Sequence, residues 1–400
     1  MVPKDWDSIP LGKISSVVTS GSRDWARYYS TFGSKFIRMT NLNRNGIDLL
    51  LNDLRYVSIN SESNDGKRTS LQYGDILISI TAELGKIGWV PKDFGEAYIN
   101  QHTAMVRLDP AKAESKFIAY QLSSHRLNKI INSLNDAGAK AGLNLPTVKS
   151  IPVLLPPLPE QKKIAKILST WDKAITTTEK LLANSEQQKK ALMQQLLTRK
   201  KRFHKFNKEW IDVHLSDISN IVMGTSPSSR SYNEKNLGLP LIQGNADILN
   251  RKSSPRIFTS EITKECTVGD ILLSVRAPVG TVAISQHRAC IGRGIASIKA
   301  KKDFNQEFLY QWFLWFEPKW GSLSQGSTFE SISSGDIKSL KLLIPDLEEQ
   351  QKIAVVLSTI DREIENVKQK LNCLIQEKKA LMQQLLTGKK RVKVTEINNA

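Results

Sequence analysis

The hydrophobic pattern of this chain is written twice. Between residues 160 and 198, Ile164, Leu168, Trp171, Ile175, Leu182, Leu192 and Leu196 fall on one seam in alternating steps of four and three. Thr178, Ser185 and Lys189 fill its remaining positions. Between 349 and 387 the same seam carries Ile353, Leu357, Ile360, Ile364, Val367, Leu371, Leu374, Leu381 and Leu385, with Lys378 its polar member. The offset is 189 throughout, without a gap, and both copies end on Ala-Leu-Met-Gln-Gln-Leu-Leu-Thr. A sustained spacing of 3.5 predicts a coiled-coil helix. No Gly or Pro interrupts either copy.

The helix ends are also marked. Pro159 sits in a first turn, where a missing N–H costs little. Asp346 with Glu349 resembles a capping box, and Gly388 stands where a C-terminal cap is expected. Each helix, about 60 Å long at 1.5 Å per residue, exposes too much seam to stand alone. A homodimeric coiled coil is one solution. Two copies in one chain favour intramolecular pairing. An antiparallel pairing puts Ile164 opposite Leu385, Ile175 opposite Leu374 and Leu196 opposite Ile353. Thr178, Ser185 and Lys189 then meet Leu371, Ile364 and Ile360, and Trp171 meets Lys378. The two lysines are expected to snorkel out of the seam.

What precedes each helix repeats more weakly. Gly74-Asp75-Ile76-Leu77-Ile78-Ser79 matches Gly269-Asp270-Ile271-Leu272-Leu273-Ser274, and Gly85-Lys86-Ile87 matches Gly280-Thr281-Val282. Trp6 matches Trp210, and Phe117-Ile118 matches Phe308-Leu309. Gly-Asp and Asn-Gly turns between short apolar runs predict strands, with helical stretches near 115–134 and 305–316. The expected architecture is α+β: two mostly-β domains joined by two long antiparallel coiled-coil helices, with an internal pseudo-two-fold. The expected limits are 1–155 for the first domain and 156–202 for its helix. The second domain is placed at 203–344, its helix at 345–390 and a flexible tail at 391–400. Between matching signposts the domains diverge, sharing Asn41 with Asn245 and little else.

Composition then bears on function. At 40% hydrophobic and 24% charged, the chain is globular, and its net charge is +18. The excess is spread over the chain and densest at 151–205, where twelve basic residues face four acidic ones. A spread basic surface suits a long polyanion better than a small anionic ligand. Cys266, Cys290 and Cys373 show neither a CxxC spacing nor a disulfide framework, which fits a reduced cytoplasmic setting. The N-terminus lacks an apolar h-region, and no apolar run approaches membrane-spanning length.

Leu155-Pro156-Pro157-Leu158-Pro159-Glu160-Gln161 and its echo Ile344-Pro345-Asp346-Leu347-Glu348-Glu349-Gln350 open the two helices. Ser169-Thr170-Trp171-Asp172 and Ser358-Thr359-Ile360-Asp361 lie inside them. In these phrases, and in the order of its parts along the whole chain, the sequence resembles the specificity (S) subunits of type I restriction–modification enzymes. The resemblance implies two target-recognition domains, each reading one half of a split, asymmetric site on double-stranded DNA. The helices would set the gap between the halves. It implies two methyltransferase (M) subunits, carrying S-adenosylmethionine and methylating adenine N6, and two restriction (R) subunits, using ATP and Mg. No cofactor or metal is expected in this chain, and no catalysis. The sequence has no Asn-Pro-Pro-Phe-like tetrad, no Phe-x-Gly-x-Gly loop and no P-loop. Gly292-x-Gly294 reads as a strand-end turn, and the five histidines show no metal spacing.

Base readout needs Arg or Lys for guanine and Asn or Gln for adenine, while phosphate contacts fix position. In the first domain the candidates are Arg23, Arg27, Tyr28, Arg38, Asn41, Asn43, Arg44, Lys67 and Arg68. In the second they are Ser229, Arg230, Tyr232, Gln243, Asn245, Arg251, Lys252, Arg276 and Arg293. The outward helix faces, with Gln161, Lys162, Lys166, Gln187, Gln188, Gln350, Gln351 and Lys352, are candidate docking surfaces for M. The favoured partner-binding residues are Glu160, Gln161, Glu349 and Gln350, because both copies retain them. A coiled-coil scaffold joining two protein-binding domains is the alternative of another class, and a methylation-only system without a restriction partner is a third reading.

Overall fold

The computed structural model describes residues 3–59, 63–134, 142–320 and 331–393. The seams form two helices of 39 residues each, α1 (Leu158–Leu196) and α2 (Leu347–Leu385). The chain divides into two compact units, residues 1–177 with 370–400, and residues 178–369. Each unit therefore holds half of each long helix.

In the first unit, two four-stranded sheets form the β frame. One orders Ser15–Ser20, Thr103–Leu108, Ile76–Ser79 and Ile87–Trp89, all antiparallel. The other orders Tyr29–Ser30, Arg55–Val57, Ser34–Ile37 and Ala97–Ile99, the last pair parallel. Asp7–Pro10 pairs with Pro152–Leu155, which leads into α1. Helices Ser115–Ser123 and His125–Ser133 cover the first sheet through Phe117, Ile118, Leu127 and Ile131.

The second unit repeats this frame. Its larger sheet centres on Ile295–Ala300 and Ile271–Ser274, its smaller on Leu239–Ile242 beside Ala289–Ile291. Ile211–His214 pairs with Lys341–Ile344 before α2, and helix Gln306–Phe316 packs Phe308, Leu309, Trp312 and Phe313 into the core. The Gly-Asp signposts have one physical job. Gly74 and Gly269 both turn at φ +86°. The next residue, Asp75 or Asp270, is buried and accepts the N–H of Gln72 or Thr267 at 2.7 Å.

The pairing of the long helices is antiparallel within each unit. In the first, Ile164 and Leu168 of α1 share a core with Leu385 of α2. In the second, Leu196 and Met193 of α1 share one with Ile353 and Leu357 of α2. The seam lysines do not snorkel. Lys378 is buried, with its ammonium on the Asp172 carboxylate, and Lys189 reaches Asp361 at 2.6 Å. These two ion pairs are the same pair, repeated at the offset of 189. Each carboxylate is also held from the domain: Asp172 by the Tyr120 hydroxyl, Asp361 by the Gln311 amide at 2.8 Å. Burial and the Asp172 charge push the Tyr120 phenol far above its ordinary range.

Both helices end in the same cap, with the N–H of Lys201 on Gln195 O and that of Lys390 on Gln384 O. Such a cap needs one left-handed residue. Gly388 takes it at φ +72°, and Arg199 takes it at φ +61°. A Cβ at Gly388 would stand 2.5 Å from Pro3 Cγ. We expect Gly388→Ala to cost about 1–2 kcal/mol from the left-handed backbone alone. Arg199→Gly should be neutral or gain up to about 1 kcal/mol. Thermal denaturation of both variants checks the pair; equal effects would remove the cap from the account.

Candidate nucleic-acid interface

The second unit contains a cleft of about 820 Å³ on its β frame. Ser229, Tyr232, Gln243, Asn245, Arg276 and Arg293 all line it, six of the nine residues singled out in that domain. They come from three places in the sequence, which the sheet registers bring to one rim. Tyr232 and Gln243 stand at the two ends of the segment joining Tyr232–Asn233 to Leu239–Ile242, and the Gln243 amide donates to the Tyr232 hydroxyl at 2.8 Å. Arg276 follows the central strand Ile271–Ser274. Arg293 sits in the turn before Ile295–Ala300, and its N–H donates to Ser226 Oγ at 3.2 Å. Its flanking glycines let that turn approach Gln243: a Cβ on Gly294 would lie 2.3 Å from Gln243 O. The Gly292-x-Gly294 pair is thus a strand-end turn.

Arg256, which the sequence reading missed, also lines the cleft, paired at 3.0 Å with the buried Asp247. Nothing in its local sequence distinguishes it. Arg230 is exposed outside the cleft lining. Arg251 is turned away, bonded to Val282 O at 3.1 Å and paired with Glu317. Lys252 is exposed on the short strand beside Val282–Ile284.

The first unit is less concentrated. Arg23 and Arg27 are exposed without a carboxylate partner among the described residues, and the Arg27 guanidinium lies 4.8 Å from the Tyr28 ring centre. Arg68, on the short helix Asn64–Thr69 that also carries the exposed Lys67, bonds to Ser20 O at 2.5 Å and pairs with Asp65. Arg38 is paired with Asp53 at 2.7 Å, and Arg44 donates to Leu84 O at 2.7 Å.

Two asparagines are structural. Asn41 is 1% exposed, accepts the N–H of Arg38 and donates to Leu50 O and Asp53 O, so it has no polar atom to offer DNA. Asn43 accepts the N–H of Asn45 and so shapes its own turn. The counterpart of Asn41 is Asp247, which accepts the N–H of Gln243 after the matching strand, rather than Asn245.

The helix junctions correct the largest expectation. Glu160, Gln161, Glu349 and Gln350 are all buried, at 1–2% exposure, and cannot form an outward docking face. Gln161 accepts the N–H of Glu114 at 2.8 Å and donates to Pro156 O at 2.8 Å. Gln350 accepts the N–H of Asn305 at 2.9 Å and donates to Pro345 O at 2.9 Å. Glu160 takes a bidentate pair from Arg391, and Glu349 takes one from Arg202 plus the Trp210 indole N–H at 3.0 Å. Both copies keep Glu-Gln because it locks each long helix to its domain.

Arg391 also binds both carboxylate oxygens of Asp5, at 2.7 and 2.6 Å. It begins the segment expected as a flexible tail, of which residues 394–400 lie outside the described residues. Arg391 stands at the same offset of 189 from Arg202, so the chain end repeats on the first domain what the interdomain segment does on the second.

A duplicated β frame with a polar, arginine-lined cleft, carried on paired helices, defines a two-domain reader of an extended polar ligand. The comparisons with known proteins supply the family. The model for the type I restriction modification DNA specificity domain matches residues 3–187 and again 207–376. A Methanocaldococcus jannaschii protein assigned as the specificity subunit of the type I restriction enzyme MjaX is 33% identical, over 98% of this chain and 95% of its own length. The MjaVIII specificity subunit of the same organism is 26% identical, over 98% and 94%. The fold is that of the type I S subunit from M. genitalium, with a TM-score of 0.66 at 15% identity over 98% of this chain and 97% of the other. A chain from a structure addressing type I complex assembly gives 0.61 at 23% identity, over 96% and 98%. The chain belongs to the specificity subunits of type I restriction–modification systems. It is a DNA specificity subunit with two target-recognition domains, in a family whose role is recognition and not catalysis. Among the described residues, no helix is long and apolar enough to cross a membrane.

Proposed function

We propose that each recognition domain, 1–155 and 203–344, reads one half of a split, asymmetric site on double-stranded DNA. The spacer helices, 156–202 and 345–390, set the unspecified gap between the halves. The observation that carries this reading is a frame whose every strand in the first domain's two four-stranded sheets has a counterpart in the second, while the residues at matching strand ends differ. Arg276, Arg293 and Gln243 on one copy stand where Thr81, Gln101 and Arg38 stand on the other. One frame with two sets of readers addresses two different half-sites.

The chain holds the duplex for two M subunits, which carry S-adenosylmethionine and methylate adenine N6 after taking the base out of the stack. Two R subunits, using ATP and Mg, cut unmodified DNA, and the setting is the cytoplasm. With the Glu-Gln junctions buried, the docking surface for M falls to the exposed helix positions Lys162, Lys166, Gln187, Gln188, Gln351 and Lys352. The remaining exposed basic candidates, Arg23, Arg27, Lys67, Arg68, Arg230 and Lys252, hold phosphates and give a steep salt dependence.

Sequencing methylated adenines in cells with and without this chain and its M subunit tests the proposal. A new split motif should appear, and no gain of methylation would overturn it. Inserting one heptad into both α1 and α2 should lengthen the gap and leave both half-sites unchanged. Altered half-sites would mean the helices are not a passive ruler.

A further inference from the structure

We propose that the second recognition domain reads guanine in the major groove through Arg276 and Arg293, and that the first reads a half-site without this arginine pair. The inference rests on the reading of the chain as a specificity subunit and names the base chemistry of one half.

The two frames can be compared position by position. Ser274 pairs with Ile295 in one central sheet as Ser79 pairs with Thr103 in the other. Counting from those pairs, Arg276 corresponds to Thr81 and Arg293 to Gln101. The loops agree: Arg276 bridges Ser331 and Thr81 bridges Gly142. Two of the cleft's three arginines thus replace two neutral side chains. In the first domain those side chains are turned onto His102, Thr81 at 2.7 Å from Nδ1 and Gln101 at 3.0 Å from Nε2.

Within the cleft, Arg276 and Arg293 are set apart from Arg256 by what they lack. Arg38, Arg107, Arg256 and Arg288 each have a carboxylate within 3.0 Å. Among the described residues, neither Arg276 nor Arg293 has one, and both are exposed in the cleft. Asp247, the one carboxylate among the described residues that line it, is already paired with Arg256. Two exposed guanidinium groups without a carboxylate, on one concave surface, leave their donors to water in the free protein and open to acceptors of a ligand. Guanine presents two, N7 and O6, at the spacing of the guanidinium fork. The cleft also carries the amides of Gln243 and Asn245, and the carbonyl and amino groups of amides fit adenine. This mixture of forks and amides suits base edges better than a run of phosphates, which asks only for positive charge.

The backbone under both arginines is fixed, as paired donors require. Ser274 Oγ accepts the N–H of Thr281 and donates to Pro278 O, both at 2.8 Å, closing the loop that carries Arg276. Arg293 is held by its bond to Ser226 and by the close glycine contacts on Gln243.

The test is the methylated-adenine motif directed by the full chain with its M subunit, for the wild type, Arg276→Gln, Arg293→Gln and Gln101→Arg. In one half-site, each arginine variant should lower the preference for one guanine by about ten- to a hundred-fold, leaving the other half-site and the gap unchanged. Gln101→Arg should alter only the opposite half. Equal melting temperatures of the variants identify the change as readout. If the arginine variants leave every base preference intact and only lower overall methylation, with a salt slope shallower by about one, the arginines hold phosphate and the inference is overturned. Neither half-site changing in the way described, or containing guanine, overturns it equally. A wild type that directs no motif overturns the specificity-subunit reading itself.

Discussion

Replacing Glu349 by alanine should cost the second unit about 1–3 kcal/mol, the largest loss expected from any single truncation at a helix junction. The carboxylate is 1% exposed and accepts three hydrogen bonds, two from Arg202 and one from the Trp210 indole. Its removal leaves the buried Trp210 indole N–H without an acceptor and a guanidinium of 19% side-chain exposure with only Lys208 O, at 2.9 Å. The cost is that of stranding desolvated donors, which exceeds the net worth of the bonds themselves. Glu160→Ala should act in the same direction on the first unit but cost less, because Arg391 is 41% exposed and keeps Asp5 as its partner. Arg199→Ala is the control, since its pair with Glu209 has 38% and 78% side-chain exposure and should matter by less than about 1 kcal/mol. Denaturant unfolding of the three variants decides the matter. A Glu349 effect no larger than that of Arg199 would remove the junction lock.

The second large effect concerns the helix seam. Asp172→Ala leaves the Lys378 ammonium, 9% exposed, facing the aromatic face of Tyr120 without its bonded partner and with Asp48 as a remaining carboxylate nearby, and should cost about 3 kcal/mol. The double variant Asp172→Leu with Lys378→Met should recover most of that loss. A buried pair gains in Coulomb attraction roughly what it loses in desolvation, so apolar side chains of similar size replace it at little cost. Tyr120 keeps Ser169 Oγ, at 3.3 Å, as a partner. A double-mutant cycle on unfolding free energy measures the coupling. If single and double variants lose equally, the pair is not what closes this seam. The repeat of the pair as Lys189–Asp361 gives an internal replicate on the other unit.

Why evolution keeps a charged pair here follows from register. In an antiparallel pair with 3.5-residue spacing, a purely apolar seam slips by a heptad at little cost. A lysine that finds its aspartate in one alignment penalises every other. The aspartate is also bonded to a helix of its own recognition domain, through Tyr120 or Gln311. Spacer register and domain attachment are therefore fixed by the same carboxylate.

The sequence alone determined the repeat, the two long helices to within about two residues at their starts and about six at their ends, and their antiparallel pairing. These depend on local periodicity and on identity between copies, both of which survive without knowledge of the fold. It also picked out the segments that diverge, and six of the residues that line the cleft. Tertiary structure decided what each polar residue is used for. Glu160, Gln161, Glu349 and Gln350 read as surface because an amphipathic helix start is usually solvated, yet each finds its partners among residues as distant as Arg391, Glu114, Arg202 and Asn305. Asn41 read as a base contact and is a buried turn bond. Arg251 and Arg276 look alike in one dimension; Glu317 claims the first, and no carboxylate among the described residues claims the second. A hydrogen bond or an ion pair is satisfied by proximity in space, so only the folded chain separates the polar groups already spent from those left to bind.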